Sequence, residues 1–272
     1  AAGKEAPTVL ELKNITKTFN AGTVNEKVAL KNLTLTLNDG DFVTVIGGNG
    51  AGKSTMLNAI AGVWRPDSGQ IVIDGSDVTG MLEYKRAKLL GRVFQDPMMG
   101  TAADMEIEEN LALARRRGKR RGLGWGIRSA EREEYKRMLA ELGLGLEHRL
   151  SSKVGLLSGG QRQAVTLLMA TLVRPKLLLL DEHTAALDPA TASKVMALTD
   201  KIIEEENLTA LMVTHNMQDA INHGNRLIMM HEGGIIFDIS GEEKKKLTIE
   251  DLLDKFRKLS GTQFASDRAL LG

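Results

Sequence analysis

The stretch GGNGAGKST occupies residues 47 to 55. An apolar run, DFVTVI (41–46), leads into it, and a stretch with helical spacing, MLNAIAGV (56–63), leads out. Four of the six positions from 47 to 52 are glycine. Glycine loses more freedom on folding than any other residue and buries no side chain, so such a cluster between two strong elements needs a reason.

The stretch fits the pattern G-x-x-x-x-G-K-[ST] through Gly47, Gly52, Lys53 and Ser54. A buried strand before the pattern and a helix after it are the context of a phosphate-binding loop. Without Cβ atoms, backbone N–H groups can turn inward and approach phosphate oxygens closely. The positive end of the following helix points at the same anion. The expected nucleotide contacts are Gly47, Asn49, Gly50, Ala51, Gly52, Lys53, Ser54 and Thr55. Lys53 is expected to reach the β- and γ-phosphates, and the Ser54 hydroxyl to ligate Mg²⁺. The plainer alternative is a glycine-rich strand-to-helix turn that binds nothing.

Two more nearly continuous apolar runs, LLLLD (177–181) and TALMVTH (209–215), share the character of FVTVIG (42–47). Such runs mark strands buried on both faces of a parallel sheet, and a helical pattern follows each one. By contrast LTLTL (33–37) alternates, as a half-buried strand should, and VLEL (9–12) and IVI (71–73) read as short strands. The first 75 residues therefore predict a mainly antiparallel sheet. A hairpin is expected across EGG (232–234), between RLIMM and IIFDI. ADMEIEENLALARRR and SAEREEYKRMLAEL read as helices of an inserted helical segment. LTIEDLLDKFRKL (247–259) reads as a terminal helix, with Thr248 and Asp251 as a capping box.

LLLLDE supplies the carboxylates that a phosphate loop needs. Asp181, ending a parallel strand, is expected to face Mg²⁺ through water. Glu182, next along, is placed to polarise the attacking water as general base. The alternative is two solvated acids at a strand end.

LSGGQ (157–161) lies between the two, directly before the helical run RQAVTLLMATLV. Here the sequence resembles the ABC-transporter ATPases, over about residues 8 to 240. The resemblance implies a P-loop NTPase α/β fold with a mainly parallel core sheet, an N-terminal antiparallel β subdomain and an inserted α-helical subdomain. It implies one ATPase domain over 8–240, with the core at 8–97 and 156–240 and the helical subdomain at about 98–155. Residues 241–272 would form a C-terminal helical extension.

LSGGQ is that family's signature. Ser158, Gly159, Gly160 and Gln161 offer a hydroxyl, backbone N–H groups and a helix N-terminus, which together make a second anion site. In the family two ATP molecules are sandwiched in a head-to-tail dimer, each between the P-loop of one subunit and the signature of the other. The resemblance assigns Gln95, in VFQDP, to the loop that contacts Mg²⁺ and water. It assigns Asp188, in AALDP, to the dimer interface, and His215 to the γ-phosphate contact. Phe19, in ITKTF, matches the aromatic that stacks on adenine; the alternative is an ordinary core aromatic. The catalytic set is thus Lys53, Gln95, Glu182 and His215, with Ser54, Gln95 and Asp181 at the metal. One position departs from the pattern. His183 follows the acidic pair where Pro or Ala is common, and it either perturbs Glu182 or points away from it.

The resemblance also implies partners: a separate membrane permease, a second copy of this chain, and a solute-binding protein. Met98 and Met99, in QDPMMGT, fall where the family holds the permease's coupling helix. The alternative is that both pack inside the helical subdomain. Within the family, DEHTAALDP and LARRRGKRRG look most like ATPases serving amino-acid permeases, tryptophan or tyrosine among the substrates. A two-component exporter is the alternative, since nothing in these motifs encodes direction. A soluble ABC ATPase acting on ribosomes or nucleic acid fits less well. Such proteins carry two nucleotide domains or a long coiled-coil insertion, and Leu157 follows Gln95 too closely for either.

Bulk composition bounds these expectations. The 272 residues can bury a proper core, and with no cysteine there is neither a disulfide nor thiol catalysis. The net charge of +1 gives no large basic footprint, so nucleic acid is not an expected partner. Six of the seven residues from Arg115 to Arg121 are basic, and Trp125 follows. That segment reads as a solvated loop, with lipid or permease contact as the alternative. AAGKEAPT has no apolar core of a signal peptide. The longest apolar runs, LLLL (177–180) and LIMM (227–230), fall far short of the roughly 20 residues that span a bilayer. A place on the cytoplasmic face of a membrane would come through a partner.

Overall fold

A computed structural model describes residues 6–119 and 126–260. Two sheets organise the chain. The first is antiparallel and built from β1 (Thr8–Phe19), β2 (Lys27–Asn38), β4 (Ser68–Ile73) and β5 (Ser76–Asp77), in the order β2-β1-β4-β5. Along β2, Leu33, Leu35 and Leu37 are buried and the threonines between them are exposed. The predicted alternation is therefore real. The strands are longer than their sequence signal, because β1 and β2 continue through bulges that interrupt the period.

The second sheet contains β3 (Phe42–Ile46), β6 (Leu90–Val93), β7 (Leu177–Asp181), β8 (Ala210–Val213), β9 (Arg226–His231) and β10 (Gly234–Ser240). Its order is β10-β9-β3-β8-β7-β6, and only β10 runs antiparallel, paired with β9 as the expected hairpin. Continuous apolar runs are needed because both faces are covered. Leu177 and Leu179 join Val43, Val45, Leu211 and Val213 in a core shared with the antiparallel sheet and α1 (Lys53–Ala61). Leu178 and Leu180 join Ala210 and Met212 on the opposite face, with Leu167 and Met196. The edge strand β6 was not expected from sequence. LGRV is short and holds a glycine and an arginine, both of which weaken the strand pattern.

α2 (Glu83–Arg86) lies beyond the antiparallel sheet. Its Arg86 is fully buried and donates to the carbonyls of Ala59 and Ile60, the C-terminal end of α1. A positive charge there also complements the helix dipole. α3 (Ile107–Arg115) and α4 (Ser129–Glu141) bury Ile107, Leu111, Tyr135 and Leu139 against Val165 and Leu168 of α5 (Gly159–Thr171). The basic segment is less solvated than expected at its start. Arg115 pairs with Glu134 at 2.6 Å. Arg117 donates to the carbonyls of Ala170 and Val173, at the end of α5. Arg120, Arg121 and Trp125 lie outside the described residues.

α6 (Pro189–Glu205) and α7 (Met217–Asn222) follow β7 and β8. α8 (Gly241–Lys245) and α9 (Ile249–Ser260) end the described chain, and residues 261–272 lie outside it. The Thr248–Asp251 capping box forms in both directions, at 3.0 and 3.1 Å. Leu252 and Phe256 are buried with Ile46, Met217 and Met229. Among the described residues, no helix is long and apolar enough to cross a membrane.

Candidate functional site at the C-terminal edge of the parallel sheet

Parallel strands bring their C-terminal ends to one edge, where loops can converge on a ligand. Register aligns those ends. Val45 lies opposite Val213, Asp181 opposite Val213 on its other side, and Val93 opposite Leu180. The stretches 47–55, 181–182, 214–216 and 94–95 therefore all leave the sheet along this edge.

After β3 the chain enters the loop at Gly47, and α1 begins at Lys53. Gly47 and Gly52 both have positive φ, 151° and 103°. A Cβ on Gly47 would stand 2.3 Å from the Met230 carbonyl oxygen, and one on Gly52 would stand 2.6 Å from that of Ala29. The first and last glycines of the loop are thus demanded by the neighbouring strands as well as by any phosphate. Lys53 is buried, and its Nζ donates to the carbonyls of Gly47 and Gly48 at 2.7 and 3.3 Å. Burial lowers its pKa, opposed by the charges of Glu182 and Asp181. Ser54 and Asn49 are exposed, Thr55 is half-buried and Ala51 is buried.

Pleat alternation puts Asp181 on the same face as Leu177 and Leu179, toward α1. Its carboxylate lies 3.6 Å from the Arg92 guanidinium. Burial raises the Asp181 pKa, and Arg92 pulls it the other way. Glu182 then takes a left-handed conformation, φ 44°. Such a position costs a non-glycine residue on the order of 1–3 kcal/mol and is common where a site fixes a side chain. The turn sends Glu182 toward His215, whose Nδ1 lies 3.4 Å from the carboxylate. It sends His183 the opposite way, into the core, where Nε2 meets the Thr199 hydroxyl at 3.0 Å. That hydroxyl donates to the Val195 carbonyl, so His183 carries its proton on Nε2. Burial lowers the His183 pKa to about 4. Of the two readings of His183, the structure favours the one that points away from Glu182.

Glu182 and His215 open onto a cleft of ≈ 690 Å³ between α6 and α7. Gln95 is exposed, two residues beyond the end of β6. Phe19, at the end of β1, is half-buried and stands edge-to-face to Trp64 with ring centroids 5.3 Å apart. It is not an ordinary core aromatic.

The signature residues lie elsewhere. Ser158 caps α5, accepting from the Gln161 N–H, while the Gln161 side chain accepts from the Ser158 N–H. Ser158, Gly160 and Gln161 line a separate cleft of ≈ 570 Å³ between the end of α4 and α6, and no residue of the 47–55 loop lines it. Asp188 caps α6 through the Thr191 N–H at 3.1 Å. A Cβ on Gly160 would stand 2.1 Å from Thr191 Cγ2, so α5 and α6 approach at this glycine. The chain therefore gathers Lys53, Asp181, Glu182 and His215, and holds Ser158 to Gln161 apart from them. Met98 and Met99 are exposed rather than packed inside the helical segment.

Sequence reasoning missed Arg92, Asn58 and Trp64. The available signal for Arg92 was a cation inside the apolar stretch LLGRVF, just before Gln95.

Residues 30–185 match the family model described as "ABC transporter". A tyrosine transport ATP-binding protein of Clostridioides difficile is 46% identical over 248 residues, covering 91% of this chain and 98% of the relative. The methionine import ATP-binding protein MetN of Corynebacterium efficiens is 33% identical, and the match spans 84% of this chain but only 62% of that protein. Among solved structures, a dimeric ATP-binding cassette in a post-hydrolysis state with ADP and Pi aligns with a TM-score of 0.72 and 33% identity. That alignment covers 85% of this chain and 98% of the cassette. With the phosphate loop, the acidic strand end and the signature helix placed as above, the chain belongs to the ATP-binding subunits of ABC transporters.

Proposed function

We propose that this subunit hydrolyses ATP to drive import of an amino acid, aromatic in type, through a separate permease on the cytoplasmic face of a membrane. The observation that carries the chemistry is the meeting of Glu182 and His215 beside Lys53 and Asp181, with Ser158 held in another cleft. One chain supplies half of each site, and the signature of a second copy completes it. The name of the tyrosine-transport relative supports the substrate class. A solute-binding protein belongs to the same reading, and so does a permease element docked near exposed Met98 and Met99. A methionine surface suits an adaptable contact.

The roles are those of the family's motifs, and the geometry and charge of the site support them. The Lys53 ammonium and the N–H groups of residues 47–55 hold the β- and γ-phosphates, and Phe19 stacks on adenine. Glu182 orients the attacking water, and His215 holds the carboxylate and the γ-phosphate edge together. Ser158 and Gly160 of the second copy donate to the γ-phosphate, where charge develops. The oxygen donors of Ser54, Asp181 and Gln95 suit Mg²⁺, a hard cation. Among the described residues, no group of three or more His, Cys, Asp or Glu side chains is placed to hold a metal ion by itself. When bound, Mg²⁺ neutralises charge on the phosphates.

The test is affinity purification from detergent-solubilised membranes of the source cell, with mass spectrometry of what accompanies the chain. A polytopic permease, with stimulation of ATPase activity by an aromatic amino acid and its binding protein, is the expected result. Recovery only with ribosomal proteins or nucleic acid would overturn the transport reading.

A further inference from the structure

Arg92 is a cation in the middle of a buried four-residue strand. Burying a charge is costly unless it is paired. Its position on β6 puts it on the α1 face of the sheet, with Leu90 and on the same side as Asp181. There the guanidinium is fixed from three directions. Nη2 donates to Asn58 Oδ1 on α1 at 2.6 Å, the planar group lies over the Phe94 ring at 4.5 Å, and Nη2 stands 3.6 Å from Asp181 Oδ2. Nε is buried and has no hydrogen-bond partner among the described residues. One side chain thus joins the helix that follows the phosphate loop, the strand that ends in the metal-facing carboxylate, and the strand that leads to Gln95.

We propose that Arg92 is a positioning residue for the metal at Asp181: its guanidinium orients the carboxylate without occupying it. At 3.6 Å the contact is longer than an ordinary hydrogen bond and uses one guanidinium nitrogen, so the ion pair attracts the carboxylate while leaving lone pairs for a metal-bound water. Asn58 and Phe94 hold the guanidinium from its other sides. Groups that orient a metal ligand in this way carry a large share of metal affinity. The proposal rests on the assignment of Asp181 to the metal.

The experiment uses the full chain with ADP, and Mn²⁺ in place of Mg²⁺, reading free Mn²⁺ by electron paramagnetic resonance. Arg92→Met is expected to raise the dissociation constant of Mn²⁺ from the ADP complex about tenfold. ADP affinity without metal should be unchanged. Arg92→Lys keeps the charge without the planar fork and should give a smaller rise. Asn58→Ala, which frees the guanidinium and should fold even if Arg92→Met does not, is expected to shift Mn²⁺ binding in the same direction. Unchanged Mn²⁺ binding in both Arg92→Met and Asn58→Ala overturns the proposal. Tighter Mn²⁺ binding in Arg92→Met also overturns it, because Arg92 would then be a competitor for the carboxylate. Asp181→Asn separates the two levels. If it leaves Mn²⁺ binding intact, the assignment of Asp181 falls; if it weakens binding while the Arg92 variants do not, only the role of Arg92 falls.

Discussion

Glu182 and His183 leave the same strand end in opposite directions, one toward His215 and the other into the core beside Thr199. The left-handed backbone at Glu182 makes that division. It also gives His183 a measurable signature. His183 is buried and neutral, with a pKa of about 4, while in the unfolded chain it titrates near the ordinary histidine value of 6.5. As pH falls below 6.5, the unfolded state takes up the proton and the folded state does not, so stability declines until about pH 4. The full difference is on the order of 3 kcal/mol. His183→Leu should lose about 1 kcal/mol at pH 7.5 with its hydrogen bond, yet show a shallower decline toward pH 4 in urea unfolding. An equal decline in the two proteins would mean that His183 is not buried neutral. At this scale the motif residues were legible, because chemistry fixes their type and spacing. Arg92 was not, since its meaning depends on Asn58 and Asp181, distant in sequence and brought close only by the sheet.

The element that decided the fold, the loop from Gly47 to Thr55, answers to two demands. Phosphate chemistry explains why it is rich in glycine. The close approach of β9 and β2 explains why the glycines stand at positions 47 and 52. Gly52→Ala should therefore destabilise the chain even with no nucleotide present. Positive φ and a contact at 2.6 Å together predict a loss of about 2–3 kcal/mol. That corresponds to a fall of roughly 5 °C or more in melting temperature. An unchanged melting temperature combined with lost nucleotide binding would assign the glycine to phosphate alone. The other parallel strands were legible for the same physical reason as β3: burial on both faces leaves an unbroken apolar run. β6 was not, because Gly91 packs against the Ala170 carbonyl and Arg92 against polar partners, so neither carries the apolar signal.

Across the whole molecule, the phosphate-loop motif and the signature motif stand apart: Ser158, Gly160 and Gln161 line a cleft that no residue of the 47–55 loop lines. The loop at 47–55 leaves the same sheet edge as Asp181, Glu182 and His215, while the signature residues face α4 and α6. A single chain has no evident use for both on one nucleotide, and a second copy does. The presence of both devices was legible in the sequence; their separation was not, because it depends on how α5 and α6 pack at Gly160. The most direct test is sedimentation of Glu182→Gln with Mg²⁺ and ATP. This variant should bind ATP, turn it over at least about a hundredfold more slowly, and sediment as a dimer with ATP and as a monomer without it. Addition of Ser158→Glu should abolish the dimer. A Glu182→Gln protein that stays monomeric at saturating ATP, or that turns over at the unaltered rate, would contradict the composite site.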